Sequence, residues 1–108
     1  MAIDRHIARV FLKIHILSRA AWAEVYGLGV IERFGALGFE VSPGTVYPTL
    51  NAMANEGDLT VRATVVGGKR RRLYRITRKG REELLDARRI LKTLSRDLDA
   101  GARPQGRC

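Results

Sequence analysis

Two strand-like runs joined by Gly67-Gly68 are the feature that most limits how this 108-residue chain can fold. The run from Leu59 to Val66 largely alternates between apolar and polar residues, which is typical of a β-strand. The run from Arg71 to Thr77 is also rich in residues typical of β-strands. The glycine pair supplies the positive φ angles that a two-residue hairpin turn requires. The sequence therefore predicts a β-hairpin with the two glycines at its tip.

The same region carries the excess charge of the chain. Between Leu59 and Arg81 there are nine basic residues and no acid, and the net charge of the whole chain is +9, so the rest carries as many acids as bases. A block this dense favours a surface that meets a polyanion, although a solvated basic loop is the plainer alternative. The nine residues are Arg62, Lys69, Arg70, Arg71, Arg72, Arg75, Arg78, Lys79 and Arg81.

Apolar residues at helical spacing predict two helices in the first third of the chain. The first covers residues 3–17, and residues 20–22 close it. The second extends from Gly27 to about Leu37, and Gly38 ends it as a C-terminal cap. The residues expected to be buried in the second helix are Val30, Ile31, Phe34 and Leu37.

Two further helices flank the hairpin. Ser42-Pro43 is a strong start for the third helix, because a serine side chain can cap free N–H groups and a proline there needs none. This helix ends at Gly57, and Val46, Leu50 and Met53 face inward. Thr77 can cap the last helix, from about Arg78 to Leu98. Positive charge in its first turn opposes the helix dipole, so we expect a phosphate near Arg78, Lys79 and Arg81.

Three helices, a hairpin and a helix in that order are the layout of a winged helix-turn-helix, a mainly α fold with a β-hairpin (α+β). In this fold the third helix enters the DNA major groove and the hairpin, or wing, reaches along the backbone. Asn51 is the best candidate to read adenine in a bidentate manner. A Tyr47 packed against the wing and a solvated Asn51 stay open as alternatives. The predicted DNA-contacting residues are Ser42, Thr45, Tyr47, Thr49, Asn51, Lys69, Arg70, Arg71 and Arg72.

The residue pattern contains no sign of an enzyme, a metal site or a bound cofactor. Cys108 is the single cysteine, and no cluster with His6 or His15 has metal-ligand spacing. Charged residues interrupt the N-terminal segment, which argues against a signal peptide, and no apolar run reaches the ~18 residues of a membrane span. We therefore expect a cytoplasmic protein that associates with nucleic acid and not with a membrane.

Three stretches resemble the PadR family of bacterial and archaeal transcriptional regulators, over about residues 24–85. They read Ser-Pro-Gly-Thr-Val-Tyr-Pro-Thr-Leu, Asn-Glu-Gly-Asp-Leu and Arg-Leu-Tyr-Arg-Ile-Thr-Arg-Lys-Gly-Arg-Glu-Glu-Leu. The short C-terminal region is similar to the subgroup with a single C-terminal helix. The resemblance implies a homodimeric repressor that binds operator DNA and that, in several members, a small hydrophobic or phenolic effector releases. It assigns Ser42, Thr45, Tyr47, Pro48 and Asn51 to the recognition helix and Lys69 to Arg72 to the wing.

The chain departs from the family pattern in three places. The second helix opens with Tyr26-Gly27-Leu28-Gly29 where the family usually has a His-Gly-Tyr-like stretch. Asp58 replaces the common apolar residue after Gly57, and we expect this change to loosen the entry to the hairpin. No aromatic residue follows Tyr74, so the last helix lacks the aromatic that lines an effector cavity in some relatives. Trp22 is expected in the core or in an interface.

Apolar residues of the first and last helices exceed what one small core needs, and a monomer would expose them as an unfavourable patch. Pairing the two helices with those of a second chain gives a two-fold dimer interface, whereas pairing within one chain is the alternative. The predicted interface residues are Ile7, Val10, Phe11, Ile14, Leu17, Leu84, Leu91, Leu94 and Leu98. Residues 1–77 would then form the winged domain, residues 78–100 the dimerisation helix and residues 101–108 a disordered tail.

The sequence thus predicts a homodimeric, sequence-specific DNA-binding regulator. Two other functions stay open: a basic protein–protein adaptor built on the same fold, and an architectural protein that binds DNA without sequence preference.

Overall fold

The computed structural model describes residues 4–101. In this range it contains four α-helices and one two-stranded antiparallel sheet. The elements in chain order are α1 (Arg5–Trp22), α2 (Gly27–Ala36), α3 (Pro43–Asn55), β1 (Leu59–Val66), β2 (Lys69–Ile76) and α4 (Arg78–Gly101). The predicted α+β winged-helix order is confirmed. Ile3 of the predicted first helix and all of the predicted tail except Gly101 lie outside the described residues.

The helix ends follow local capping chemistry, with one correction. Asp4 Oδ1 accepts hydrogen bonds from the backbone N–H of His6 and Ile7, at 2.8 and 3.3 Å, and so begins α1. Thr77 Oγ1 accepts from Gly80 N at 3.0 Å at the start of α4, as predicted. The Ser42 side chain makes no capping bond at the start of α3. The helix begins at Pro43 as predicted, but the predicted side-chain cap was wrong, because the Ser42 hydroxyl lies instead against Thr45.

The hairpin forms as predicted, and its second strand begins earlier. Gly67 and Gly68 have φ values of 58° and 79°, which suit the two central residues of a hairpin turn. Val66 pairs with Lys69 directly across the turn, so β2 starts two residues before the predicted Arg71. Pairing therefore extends to the tip and fixes the side of the hairpin on which each basic side chain lies.

A short backbone pairing joins the α1–α2 connection to the hairpin. Val25 N donates to Tyr74 O at 2.9 Å, and Tyr74 N donates to Val25 O at 2.8 Å. The wing is thus anchored at its base by the segment that precedes α2. This contact could not be predicted from the sequence, because a pairing that involves one residue on each side leaves no repeating pattern of residue types.

The core lies where α1, α2, α3 and the base of the hairpin meet. Leu37, which was predicted to be buried in the second helix, is 62% exposed, so that prediction was wrong. Gly38, with a φ of 98°, turns the chain at this point. Phe39 instead stacks on Phe34, with ring centroids 4.9 Å apart. The buried apolar residues are Leu12, Ile16, Leu17, Ala20, Val30, Phe34, Val46, Leu50, Met53, Leu59, Tyr74, Ile76 and Leu84.

Only the start of α4 packs on this core. Beyond Leu84 no residue of α4 is buried within the described chain, and Ala87 alone is half-buried. The remaining turns extend away from the body, in a molecule 62 Å along its longest axis. Within residues 4–101, no helix has the length and apolar character needed to span a membrane.

Candidate nucleic-acid interface

The exposed face of α3 presents five of the six residues predicted to contact DNA from this helix. Ser42, Pro48 and Asn51 are exposed and Thr45 is half-buried. Tyr47 is 43% exposed. Ser42 Oγ lies 3.4 Å from Thr45 Oγ1, so the two hydroxyls form one polar group at the start of the helix. Such hydroxyls are suited to the phosphate oxygens of DNA.

Thr49 is the sixth residue, and its prediction was wrong. It is 8% exposed, and its hydroxyl donates to the Thr45 carbonyl at 2.7 Å. Helical spacing puts Thr49 beside the buried Val46 and Met53, and the bond to the carbonyl four residues earlier satisfies its hydroxyl. Thr49 therefore belongs to the core side of α3.

Asn51 is exposed but already has a partner inside the protein. The Tyr74 hydroxyl donates to Asn51 Oδ1 at 3.0 Å. Tyr74 is buried and lies in β2, so this bond connects the exposed face of α3 to the hairpin. The predicted bidentate contact with adenine needs both the oxygen and the nitrogen of the amide, and the oxygen is engaged here.

The basic residues of the wing carry charge that no nearby acid compensates. Lys69, Arg70 and Arg72 are exposed, and Arg71 is half-buried. In the described part of the chain, no carboxylate oxygen forms an ion pair within 4.0 Å of these four side chains. Four adjacent cations repel each other, and this repulsion opposes the folded state. A polyanion bound at this surface would relieve it.

A groove of about 210 Å³ lies between the wing, the start of α2 and α3. The Arg71 guanidinium stacks over the Tyr26 ring, 4.6 Å from its centroid, which is a cation–π distance. The Tyr47 ring packs directly over Gly27, where a Cβ would collide with the ring. Gly27 is therefore required so that α2 and α3 can approach closely. The full lining is Tyr26, Gly27, Leu28, Tyr47, Arg70, Arg71, Arg72 and Tyr74.

The basic block is not entirely free of acidic partners, because acids from elsewhere in the chain reach two of its members. Arg62 binds Glu24 through two hydrogen bonds of 2.6 and 2.8 Å. This bidentate pair lowers the pKa of the Glu24 carboxyl below its ordinary value. The pair fixes β1 to the segment before α2, and the charge of Arg62 is therefore structural.

The second partner corrects the expectation for Asp58. Its side chain is buried, and Lys79 Nζ donates to Asp58 Oδ1 at 2.8 Å and to the Glu56 carbonyl at 3.0 Å. Burial raises the pKa of Asp58, but hydrogen bonds with Glu83 and Lys79 lower it overall. Asp58 thus ties the entry of the hairpin to α4 and does not loosen it. The charge of Lys79 is already compensated, so Lys79 needs no phosphate nearby.

The predicted dimer residues divide into three groups, which are buried, half-buried and exposed in the single chain. Leu17 and Leu84 are buried in the core of the single chain, so the expectation that they belong to a surplus exposed in a monomer was wrong. Ile14 is half-buried. Trp22 is 81% exposed at the end of α1 and therefore is not a core residue. The predicted residues that remain exposed are Ile7, Val10, Phe11, Leu91, Leu94 and Leu98.

Comparison with known proteins decides the family. Residues 15–86 match the model of the transcriptional regulator PadR-like family. The chain belongs to this family. It is also 40% identical over 97 residues to Transcriptional regulator Rv3488 of Mycobacterium tuberculosis, a match that covers 90% of this chain and 91% of that protein. Membership of a family of transcriptional regulators confirms the prediction that this PadR-like chain is not an enzyme.

Solved structures agree with this assignment. A PadR-like transcriptional regulator from Bacillus cereus superposes with a TM-score of 0.82 at 26% identity, over 93% of this chain and 99% of that one. PadR of Bacillus subtilis, solved in complex with operator DNA, superposes with a TM-score of 0.65 at 31% identity over 70% of this chain. The match spans only 45% of the Bacillus subtilis protein.

Proposed function

We propose that this PadR-like regulator binds operator DNA sequence-specifically as a homodimer and represses transcription from the site. The observation that carries the proposal is the row of four uncompensated cations on the wing, beside the exposed face of α3. The Bacillus subtilis relative, whose structure contains operator DNA, supports the same assignment. A protein with this task works in the cytoplasm, in contact with the nucleoid.

The groove beside Arg71 supports different roles for the wing and for α3 within the interface. Phosphate contacts set the position of a protein on DNA, and contacts to base edges select the sequence. The wing arginines and the groove between them and Tyr47 suit a phosphate, whereas the exposed centre of α3 suits the bases. An arginine at the wing tip suits a narrow minor groove.

The exposed apolar residues of α1 and α4 support the homodimer. Leu94 and Leu98 are 50% and 70% exposed on a helix that extends beyond its own core, and Ile7 and Val10 of α1 are similarly exposed. An unpartnered apolar surface of this length is unfavourable in water. A two-fold axis through these helices would set two copies of α3 about one DNA turn apart, roughly 34 Å, and would require a palindromic operator.

Selection of duplexes from a random pool tests the DNA-binding function directly. The proposal predicts enrichment of a palindrome whose half-sites lie about 10 base pairs apart. Enrichment of no sequence over any other would contradict it and would favour the adaptor or the architectural alternative.

Light scattering of two variants tests the homodimer. Leu94→Asp should give a monomer, whereas Leu37→Asp, which places the same charge at an exposed leucine of the α2 end, should leave the dimer intact. Identical masses for the two variants would contradict the proposed interface.

A cavity of about 230 Å³ between α1 and α2 is the place we propose for a small effector. His15 lines it, and the Nε2 atom of His15 is buried with no hydrogen-bond partner among residues 4–101. Burial, followed by the charges of Arg19 and Arg33, lowers the pKa of His15 below its ordinary value, which favours a neutral imidazole. The cavity is smaller than the ~300–1,000 Å³ common for drug-sized ligands, so an effector here would be small.

Two residues of the cavity wall also hold the wing. Glu24 binds Arg62, and the Tyr26 ring lies under Arg71. An effector that displaced either residue would therefore act on the wing. Release of DNA by a compound that raises the melting temperature of the free protein would support this part, and a compound that binds without changing DNA affinity would contradict it.

A further inference from the structure

The exposed face of α3 lacks the side chains that read guanine and cytosine. Between Ser42 and Asn55 there is no Arg, Lys, Asp or Glu. The commonest specific contact with guanine comes from Arg or Lys, and the cytosine N4 group donates to Asp or Glu. Helix α3 therefore has to obtain its specificity from other contacts.

A proline ring lies at the centre of this face. Helical spacing places Gly44, Pro48, Asn51 and Asn55 on the side opposite the buried Val46, Leu50 and Met53, and all four are exposed. The ring of Pro48 consists of CH2 groups and a nitrogen without N–H, so this side chain itself offers carbon surface alone. Ala52, also exposed, follows one turn later. In the major groove, the apolar group that distinguishes one base is the C5-methyl of thymine.

Asn51, beside Pro48, has its amide oriented by a partner inside the protein. Its Oδ1 accepts from the Tyr74 hydroxyl at 3.0 Å, which directs the Nδ2 group as the donor toward the outside. A free Nδ2 can donate to an acceptor, and thymine O4 is an acceptor next to the C5-methyl. The two neighbouring side chains thus match two adjacent groups of one base.

We propose that Pro48 and Asn51 make α3 a reader of thymine, with the proline ring on the C5-methyl and Asn51 Nδ2 on an adjacent acceptor. This proposal rests on the proposed function, because it requires α3 in the major groove. It predicts an operator half-site with thymine at the position that faces Pro48, and no dependence on a guanine contact from α3.

Removal of single methyl groups from the selected duplex tests the proposal. Each thymine of a half-site is replaced in turn by deoxyuridine, which lacks the methyl group and keeps the base pairing. At one or two positions affinity should fall about fourfold, the effect of exposing one buried methyl. At the same positions, 5-methylcytosine should bind better than cytosine. Within each compared pair, thymine with deoxyuridine and cytosine with 5-methylcytosine, the minor-groove edge is the same, so contacts of the wing do not contribute to the difference.

Two variants assign the effect to Pro48. Pro48→Ala should bind the thymine and deoxyuridine duplexes nearly equally, and it should fold, because alanine restores the helical N–H that proline lacks. Arg70→Ala should weaken binding to both duplexes and keep their ratio. A preferred duplex with no thymine–deoxyuridine difference at any position, or a Pro48→Ala variant that keeps the difference, would overturn the proposal and leave the proposed function intact. Absence of any preferred duplex would overturn both.

Discussion

Replacement of Tyr74 with phenylalanine tests how the recognition surface is held together. Tyr74 is 1% exposed, and its hydroxyl donates to Asn51 Oδ1 at 3.0 Å. Phenylalanine keeps the buried ring, so the substitution removes the hydrogen bond and little else. The net contribution of one such bond is ~0.5–1.5 kcal/mol. We therefore expect Tyr74→Phe to lower the free energy of unfolding by about 1 kcal/mol, or the melting temperature by about 4–8 °C.

The partner substitution examines the same bond from the exposed side. Asn51→Ala leaves the Tyr74 hydroxyl without its acceptor, which costs roughly 1–3 kcal/mol when the hydroxyl stays buried. Because alanine is a better helix former than asparagine, its helix propensity offsets up to ~0.7 kcal/mol of this loss of stability. If the bond couples α3 to the hairpin, the double variant should be less destabilised than the sum of the single variants, by about 0.5–1.5 kcal/mol.

Urea unfolding measures all three variants at one fixed protein concentration, because the apparent stability of a dimer depends on concentration. Tyr26→Phe is the matched control, since no hydrogen bond to its hydroxyl occurs within residues 4–101. It should change stability by less than ~0.5 kcal/mol. Additive effects of Tyr74→Phe and Asn51→Ala, within ~0.3 kcal/mol, would refute the coupling.

Two further predictions concern the base of the wing. The folded-state pKa of Asp58 is lowered, so its contribution to stability is present above its ordinary pKa of 3.8 and is lost as the pH falls through the folded value. The urea midpoints of the wild type and Asp58→Asn should therefore differ most near neutral pH and converge in acid; a constant difference would contradict the ion pair with Lys79. Gly80→Ala should destabilise the fold by ~1–3 kcal/mol, because its Cβ would collide with the Asp58 carbonyl and lie 2.8 Å from Ile76 Cγ1. Gly35→Ala, whose added Cβ would meet no atom from elsewhere in the described residues within 4 Å, should stabilise the fold by up to ~1 kcal/mol. Equal effects of the two substitutions would contradict this explanation.

The elements with strong local signals could be predicted from the sequence. The Gly67-Gly68 pair has the φ values that the hairpin requires, and Thr77 caps α4 as expected. Val46, Leu50 and Met53 are fully buried, as their helical spacing predicted. Each of these features depends on residues close together in the chain, where geometry and sequence are directly linked.

The contacts that were missed join distant parts of the chain. Glu24 and Arg62 are 38 positions apart, and Tyr74 and Asn51 are 23 positions apart. Neither pair has a periodic pattern, and both depend on the packing of the wing against its neighbours. Asp58 was misjudged for the same reason, since its partner Lys79 is brought to it by the whole length of the hairpin.

Dependence of DNA binding on salt tests the central claim most directly. The variant replaces Arg70, Arg71 and Arg72 with alanine, and its control removes the same charge from α4 by replacing Arg88, Lys92 and Arg96, all exposed. If the wing binds phosphates, the wing variant should bind the selected duplex more weakly. The slope of log affinity against log salt concentration should also become shallower by roughly 2–3, because each lost phosphate contact accounts for about 0.9 of the slope. The α4 control should keep both the affinity and the slope. Unchanged binding by the wing variant, or an equal loss in the control, would contradict the account.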